Sequence, residues 1–200
     1  MRKLRLAGAF IATLLLCNCA AFDVAATSNP WKKLDDAHDL FVRQNRPIPA
    51  ERLIQEAMSV FKEKDDVHGL GNTYREYALL LESVAVVKWE KIYRRDGFLD
   101  KSVTYDNRLE KTKEFYEISL NYFLRAEVLL QEAKKFDSLT NVYYLMSDVH
   151  VALGDRKAAC SDLDHTVEAY RENMRLNPSA KPYGSVIESV NSQKRANACP

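Results

Sequence analysis

One short pattern recurs along the chain and constrains its fold more than any other feature. The segments AERLIQEA at 50–57 and AEVLLQEA at 126–133 agree at six of eight positions. In both, an alanine is followed by an aliphatic residue four positions later and by another alanine three positions after that. This spacing places the three side chains on one face of an α-helix, where the small residues let a neighbouring helix approach closely. A helix cannot bury such a face alone, so the pattern predicts helices stacked against one another.

A third copy of the pattern lies in the segment 140–178. Its small and aliphatic positions are Ala159, Leu163 and Thr166. A Gly-Asp turn precedes it at 154–155, and upstream of the turn core candidates recur at helical spacing: Tyr143, Met146, Ser147 and His150. The segment therefore predicts two helices joined by a tight turn.

This unit resembles the tetratricopeptide repeat, a pair of antiparallel helices followed by a proline, here Pro178. The resemblance implies an all-α fold, an α-solenoid of stacked antiparallel helix pairs that occupies 31–200. It also implies that 182–198 is a C-terminal capping helix, which such arrays need to cover their last face.

The other copies are less complete. The segment 107–139 has the pattern of a second helix, but charged residues stand where the core of a first helix belongs: Glu110, Lys113 and Glu114. The segment 71–84 shows the converse, and 31–57 fits a whole pair. We expect three or four degenerate repeats; the alternative is a plain helical bundle with accidental spacing.

The first residues have the composition of a secretory leader. Arg2, Lys3 and Arg5 precede an apolar run at 6–16, and the first 18 residues contain no acid. Eleven apolar residues are too few to span a bilayer, which takes about 20. The pattern therefore predicts a signal peptide at 1–18.

The end of this leader, Leu-x-x-Cys, resembles the lipobox of bacterial lipoproteins. In that family the cysteine thiol is lipidated and the leader is cut just before it. Two frames fit: one begins the mature chain at Cys19 after Asn18, and the other at Cys17 after the bulky Leu16. We favour Cys19 because the family prefers a small residue before the cut, and we expect a tether at 19–30.

The position after the anchor predicts the compartment. Ala20, rather than aspartate, follows Cys19, which resembles enterobacterial lipoproteins of the outer membrane. The implied location is the cell outer membrane, lipid-anchored on the periplasmic side. The alternative is an ordinary leader cut near Ala20 or Ala26.

Charge excludes one class of partner. Without the three basic residues of the leader, 26 basic residues remain against 28 acidic ones. Proteins that bind nucleic acid electrostatically carry a basic excess. We therefore expect no nucleic-acid partner.

Two cysteines remain after the leader, Cys160 and Cys199. In an oxidising periplasm a disulfide between them is plausible. It would close a loop of about 40 residues, which the loop-entropy model values at about 3–4 kcal/mol. Free thiols are the alternative.

Motifs of catalysis are absent from the sequence, including GxSxG, HExxH, Walker A and GxGxxG. The four histidines are widely spread. His150 falls on a core position, so a packed, hydrogen-bonded histidine is expected there. His165 neighbours Asp162 and Asp164 on what we interpret as a solvated helix face, and we expect no metal site there.

The tetratricopeptide resemblance also implies a binding surface. In that family the first helix of each pair lines a concave face, and the matching positions here are Asn72, Arg75, Leu79, Asn141, Tyr144 and Asp148. Asparagine and arginine can hold a peptide backbone or carboxylate, and a tyrosine can anchor a partner. The alternative is that these side chains are only solvated.

These patterns predict an adaptor and not an enzyme. The expected partners are proteins of the cell envelope and, through the N-terminal lipid, the membrane, with no cofactor, metal or small-molecule substrate. By analogy, lipoproteins of this kind assist assembly of envelope, secretion or pilus machinery. A second hypothesis is an immunity-type lipoprotein that neutralises a periplasmic toxin or effector.

Overall fold

The computed structural model describes residues 27–179 and 186–200. The leader and both lipidation candidates, Cys17 and Cys19, lie outside these residues, as does most of the tether. Within the described ranges the chain forms nine α-helices and no β-strand. The helices are α1 Pro30–Val42, α2 Pro47–Glu63, α3 Val67–Glu82, α4 Val84–Lys88, α5 Glu90–Asp96, α6 Arg108–Glu132, α7 Phe136–Leu153, α8 Arg156–Leu176 and α9 Val186–Ala196.

The helices pack as adjacent pairs, α1 with α2, α3 with α6 and α7 with α8, while α9 lies on α8. Successive pairs contact each other through α2 and α3 and through α6 and α7. The described chain is therefore an all-α array of stacked antiparallel helix pairs with a C-terminal helix. This confirms the fold class predicted from the sequence.

The middle pair is split by an insertion at 83–107. Its two helices, α3 and α6, pack together more extensively than any other helices in the described chain. The insertion contains α4, α5 and an irregular loop. The two incomplete repeats inferred from the sequence are thus the first and second helices of a single pair.

Helix α6 runs without a break from Arg108 to Glu132. Its buried face consists of Thr112, Phe115, Tyr116, Ser119, Phe123 and Ala126. The three charged residues that disagreed with a first helix, Glu110, Lys113 and Glu114, are exposed. The segment AEVLLQEA consequently ends α6 rather than forming a helix of its own, and its last alanine, Ala133, is an exposed C-cap.

The other two copies of the pattern have the predicted role. Ala50, Ile54 and Ala57 are fully buried in α2, and so are Ala159, Leu163 and Thr166 in α8. Close approach is also visible at Gly71 of α3, where an added Cβ would lie 2.6 Å from the Phe123 ring of α6. The stacked helices therefore meet over small residues, as the spacing indicated.

A buried carboxylate anchors the insertion. Glu51 of α2 is 2% exposed and accepts hydrogen bonds from the hydroxyl of Tyr77 and the backbone N–H of Leu99, each at 2.7 Å. Burial raises the pKa of Glu51, because the charged form is stabilised less well away from water. Stacking of Tyr93 on Phe98, with ring centroids 4.1 Å apart, completes the packed part of the insertion.

Helix α9 is attached to the array at a few points. Cys199, just beyond its end, forms a disulfide with Cys160 of α8. Val190 is the buried residue of α9, and Lys194 pairs with Asp164. The two cysteines that lie outside the leader are thus bonded to each other in the structure. None of the described helices combines the length and apolar character needed to cross a membrane.

Candidate functional site

The candidate site lies on the face of the array formed by α1, α3, α7 and α9, which we term the inner face. It carries the six residues that the tetratricopeptide resemblance assigned to a binding surface. The contacts between α1 and α3 and between α3 and α7 bring the first helices of the three pairs side by side. Helix α9 extends this row at its C-terminal end.

Polar side chains hold one another in a chain across the inner face. Arg75 donates from Nη1 to Glu76 and from Nη2 to Asp148, each at 2.7 Å. The second oxygen of Glu76 lies 2.9 Å from Nδ1 of His38. The second oxygen of Asp148 accepts from Nε2 of Gln193 at 2.8 Å. These five residues, termed the inner-face network, connect all four helices.

The charges of the inner-face network compensate one another. Burial alone would lower the pKa of Arg75, but the carboxylates of Glu76 and Asp148 raise it overall. The hydrogen bond to Glu76 raises the pKa of His38. The third guanidinium nitrogen, Nε, is buried without a hydrogen-bond partner. A carboxylate from another molecule would therefore compete with Glu76 and Asp148 for Arg75.

A groove of about 600 Å³ opens between the same four helices, closer to their N-terminal ends, with Thr166 of α8 also in its lining. It is lined by Trp31, His68, Asp137, Asn141, Tyr144 and Val186, and otherwise by serine and threonine side chains.

The groove and the network have a common register. On each helix a groove residue is followed seven positions later by a network residue: Trp31 by His38, His68 by Arg75, Asn141 by Asp148, and Val186 by Gln193. Seven residues are two helical turns, or about 10 Å along the axis. The inner face thus has two levels, one filled by the network and one open as the groove.

Aromatic rings form one side of the groove. The centroid of the His68 ring lies 4.9 Å from that of Trp31, and Trp31 in turn packs edge-on against Phe61 at the same distance. Burial lowers the pKa of His68, so the imidazole is neutral at neutral pH. Its Nε2 lies 3.4 Å from the Asn141 side-chain amide, a contact that suits a neutral ring accepting a weak hydrogen bond.

The structure divides the six residues predicted to bind a partner. Asn141 and Tyr144 line the groove, whereas Arg75 and Asp148 belong to the inner-face network. Leu79 is half-buried against the hydrophobic core.

Asn72 lies between the two levels on α3. Its side chain is half-buried, and Oδ1 is buried without a hydrogen-bond partner. It does not line the groove, in contrast to His68 one turn before it.

Sequence reasoning left several residues of this site unassigned, among them Trp31 and His68 in the groove and Gln193 in the network. His68 stands four positions before Asn72, so it lies one turn earlier on the same face of the same helix. Trp31 has the equivalent place in α1. Extending the positions assigned on α3 by one turn would have found His68, but no binding positions had been assigned on α1. Gln193 carried no such signal, because its role depends on how α9 packs.

A second histidine contact lies between α7 and α8. His150 Nδ1 is 2.6 Å from Oδ2 of Asp162, and this hydrogen bond raises the pKa of His150. His150 is therefore a packed, hydrogen-bonded residue. Asp162 is buried, 6% exposed, which corrects its assignment to a solvated helix face. In residues 27–179 and 186–200 no three His, Cys, Asp or Glu side chains are grouped so that they could hold a metal ion.

Comparisons with protein-family models, with curated proteins and with solved structures each give no significant match. The geometry of the inner face therefore carries the functional argument.

Proposed function

We propose that the protein is an outer-membrane lipoprotein on the periplasmic side that acts as a protein–protein interaction adaptor. Its work would be in the assembly of envelope, secretion or pilus machinery, and it would bind rather than catalyse. Lipidation of Cys19 would provide the anchor. The tetratricopeptide resemblance of 140–178 and the stacked helix pairs support this function.

The groove is the observation that carries the proposal. It is open, it spans the first helices of all three pairs, and it presents Trp31 and Tyr144. Aromatic side chains of this kind dominate the binding energy of protein interfaces because they bury a large area at a small entropic cost. A volume of about 600 Å³ is within the range of sites that enclose a short peptide segment or a small molecule.

The position of the groove also suits an anchored adaptor. Trp31 follows Cys19 by 12 residues. A chain of that length spans at most about 40 Å. A lipidated Cys19 would therefore keep the groove near the membrane surface, where the subunits of envelope machinery assemble.

Site-specific photocrosslinking in the lipidated, full-length protein tests the docking role. A photoreactive amino acid replaces Tyr144 in the groove, and a matched variant carries it at Leu129, an exposed position of α6 outside the groove. We expect a discrete protein adduct at Tyr144 alone. Equal labelling at both positions, or no protein adduct, would contradict the adaptor function. An adduct with an incoming toxin would instead favour the immunity hypothesis.

Metabolic labelling with palmitate tests the anchor separately. We expect Cys19→Ala to abolish labelling and Cys17→Ala to retain it. Loss of labelling in Cys17→Ala alone would move the anchor to the other frame, and unlabelled wild-type protein would refute the lipoprotein assignment.

A further inference from the structure

The charge of the groove does not suit the carboxylate that the sequence suggested as a ligand of this face. Among the lining residues within the described chain, the one charged side chain is Asp137, in the first turn of α7. His68 contributes no charge at neutral pH, since burial lowers its pKa. The open level of the inner face therefore presents a carboxylate and no cation from these residues.

Arg75, the cation that the tetratricopeptide resemblance placed on this face, is already bonded within the protein. Arg75 lies two turns from His68 and already donates to Glu76 and Asp148. Both bonds have the 2.7 Å length of strong charge-assisted contacts. Breaking either would leave a carboxylate without its partner, buried in the case of Glu76 and half-buried in that of Asp148, which is costly. Arg75 is consequently unsuited to clamp a carboxylate from a ligand.

Two of the helix ends beside the groove, those of α1 and α3, already hold acceptors, whereas the N-cap residue of α7, Lys135, makes no side-chain capping bond. The Asn29 side chain accepts from the backbone N–H of Trp31 at 3.0 Å, at the start of α1. Asp66 accepts from the N–H of Gly69 at 2.9 Å, at the start of α3. These caps reduce the attraction of the helix dipoles for an anion, and Asp66 adds a second carboxylate close to His68.

We propose that the groove docks a protein segment in which a lysine or arginine stands beside an aliphatic or aromatic side chain, and that it discriminates against acidic segments and free C-terminal carboxylates. The apolar side chain packs between Trp31, Tyr144 and Val186, and the cation lies next to Asp137. This partner class rests on the proposed adaptor function and follows from charge complementarity.

A peptide selection against the lipidated protein in detergent tests the inference. The chain has two tryptophans, so Trp89→Phe leaves Trp31 as the reporter of the groove. Linear peptides are selected from a random phage-displayed library, and each enriched sequence is synthesised with its basic residues and with glutamate in their place. Binding is followed by Trp31 fluorescence. We expect the basic form to bind at least about ten-fold more tightly than the acidic form, corresponding to about 1.4 kcal/mol.

Variants of Asp137 test whether its carboxylate determines the preference for basic peptides. Asp137→Asn should weaken the basic peptides about three-fold and Asp137→Lys about ten-fold, with the acidic peptides shifting the opposite way. Glu110→Gln removes an exposed acid of α6 that does not line the groove, and should leave both affinities unchanged.

Two results would overturn the inference. In one, acidic peptides bind as tightly as basic ones; in the other, Asp137→Lys behaves like Glu110→Gln. Either result leaves the adaptor function standing if the Tyr144 crosslink is found. If no peptide perturbs Trp31, the assigned partner class is wrong, and the crosslinking experiment decides the proposed function on its own.

Discussion

The two levels of the inner face are built on the same four helices, yet they differ in every property that matters for binding. Two turns beyond the groove, charged and polar side chains reach one another and close the surface. At the groove level the corresponding residues are a tryptophan, a neutral histidine, an asparagine and a valine, which leave space between the helices. The same register can therefore produce a structural tie or an open site, depending on whether the side chains satisfy each other.

A polar residue on this face can either tie neighbouring helices together or remain open to a ligand. Arg75 and Asp148 are 73 positions apart in the chain, and their contact joins the second pair to the third. An arginine and an aspartate could hold a ligand, but here the two side chains bond to each other and tie α3 to α7. Asn141 and Tyr144 instead line the open groove, where Asn141 makes a long contact to the neutral ring of His68.

The largest loss of stability is expected when the disulfide that holds α9, a helix of both levels, is removed. In Cys160→Ser/Cys199→Ser, α9 loses its covalent attachment, and with it the position of Val186 in the groove and of Gln193 in the network. The loop-entropy model predicts a loss of about 4 kcal/mol in the free energy of unfolding for a loop of this length. Urea unfolding of the oxidised wild type and the variant measures it. A change below about 1 kcal/mol would show that the disulfide contributes little to the stability of the array.

The next effect breaks the network and leaves the groove intact. Arg75→Met should lower the free energy of unfolding by about 3 kcal/mol, because Glu76 and Asp148 lose the cation that compensates them. Adding Asp148→Asn should restore part of this loss by removing one uncompensated charge. Equal stability of Arg75→Met and wild type in urea unfolding would show that the network is not a structural tie.

The two levels should also differ in the pKa values of their histidines. His38 in the network and His68 in the groove have pKa values shifted in opposite directions, upward by the bond to Glu76 and downward by burial. Imidazole NMR titrations should therefore place His38 above and His68 below the ordinary value of about 6.5.

The same shifts give a pH dependence of stability with opposite signs. The raised pKa of His38 contributes stability below about pH 6.5, and this is lost as the pH rises through its folded value. The lowered pKa of His68 removes stability as the pH falls through about 6.5. His38→Ala should thus cost more at pH 5.5 than at pH 9, by less than about 1 kcal/mol since the side chain is half exposed. Midpoints on the same side of 6.5, or a pH-independent cost, would contradict this assignment.

The smallest effect is expected in the groove itself. Asn141 is exposed and makes one long contact, to His68. Asn141→Ala should change the free energy of unfolding by less than about 0.5 kcal/mol, as at other surface positions. It is the matched control for Arg75→Met on the same face. A loss approaching that of Arg75→Met would mean that the groove level is structural as well.

The sequence predicted the parts of this architecture that depend on local spacing. Residues three and four apart share a helix face, so the buried patterns at 50–57 in α2 and 159–166 in α8 could be recognised without knowing their neighbours. Placement of Asn141 and Tyr144 on an open face was implied by the tetratricopeptide resemblance of that segment.

Longer-range pairings could not be predicted in this way. Nothing local indicates that α3 pairs with α6 across the insertion, because the intervening residues also form helices. The ties between Arg75 and Asp148 and between Glu51 and Leu99 depend on which helices become neighbours. The tetratricopeptide resemblance assigned Arg75 and Asp148 to a free binding surface, so the sequence did not predict that this level is closed.

The insertion also has a consequence for the order in which the array assembles. The turn between α1 and α2 has four residues and that between α7 and α8 has two, whereas 25 residues separate α3 from α6. The entropy lost on closing the longer loop raises its free-energy cost by about 2 kcal/mol relative to the short turns. The outer pairs are thus expected to form early, with the middle pair completing last and joining them. Pulse-labelled hydrogen exchange during refolding should find the amides of α6 protected after those of α8; simultaneous protection would argue against this sequence of events.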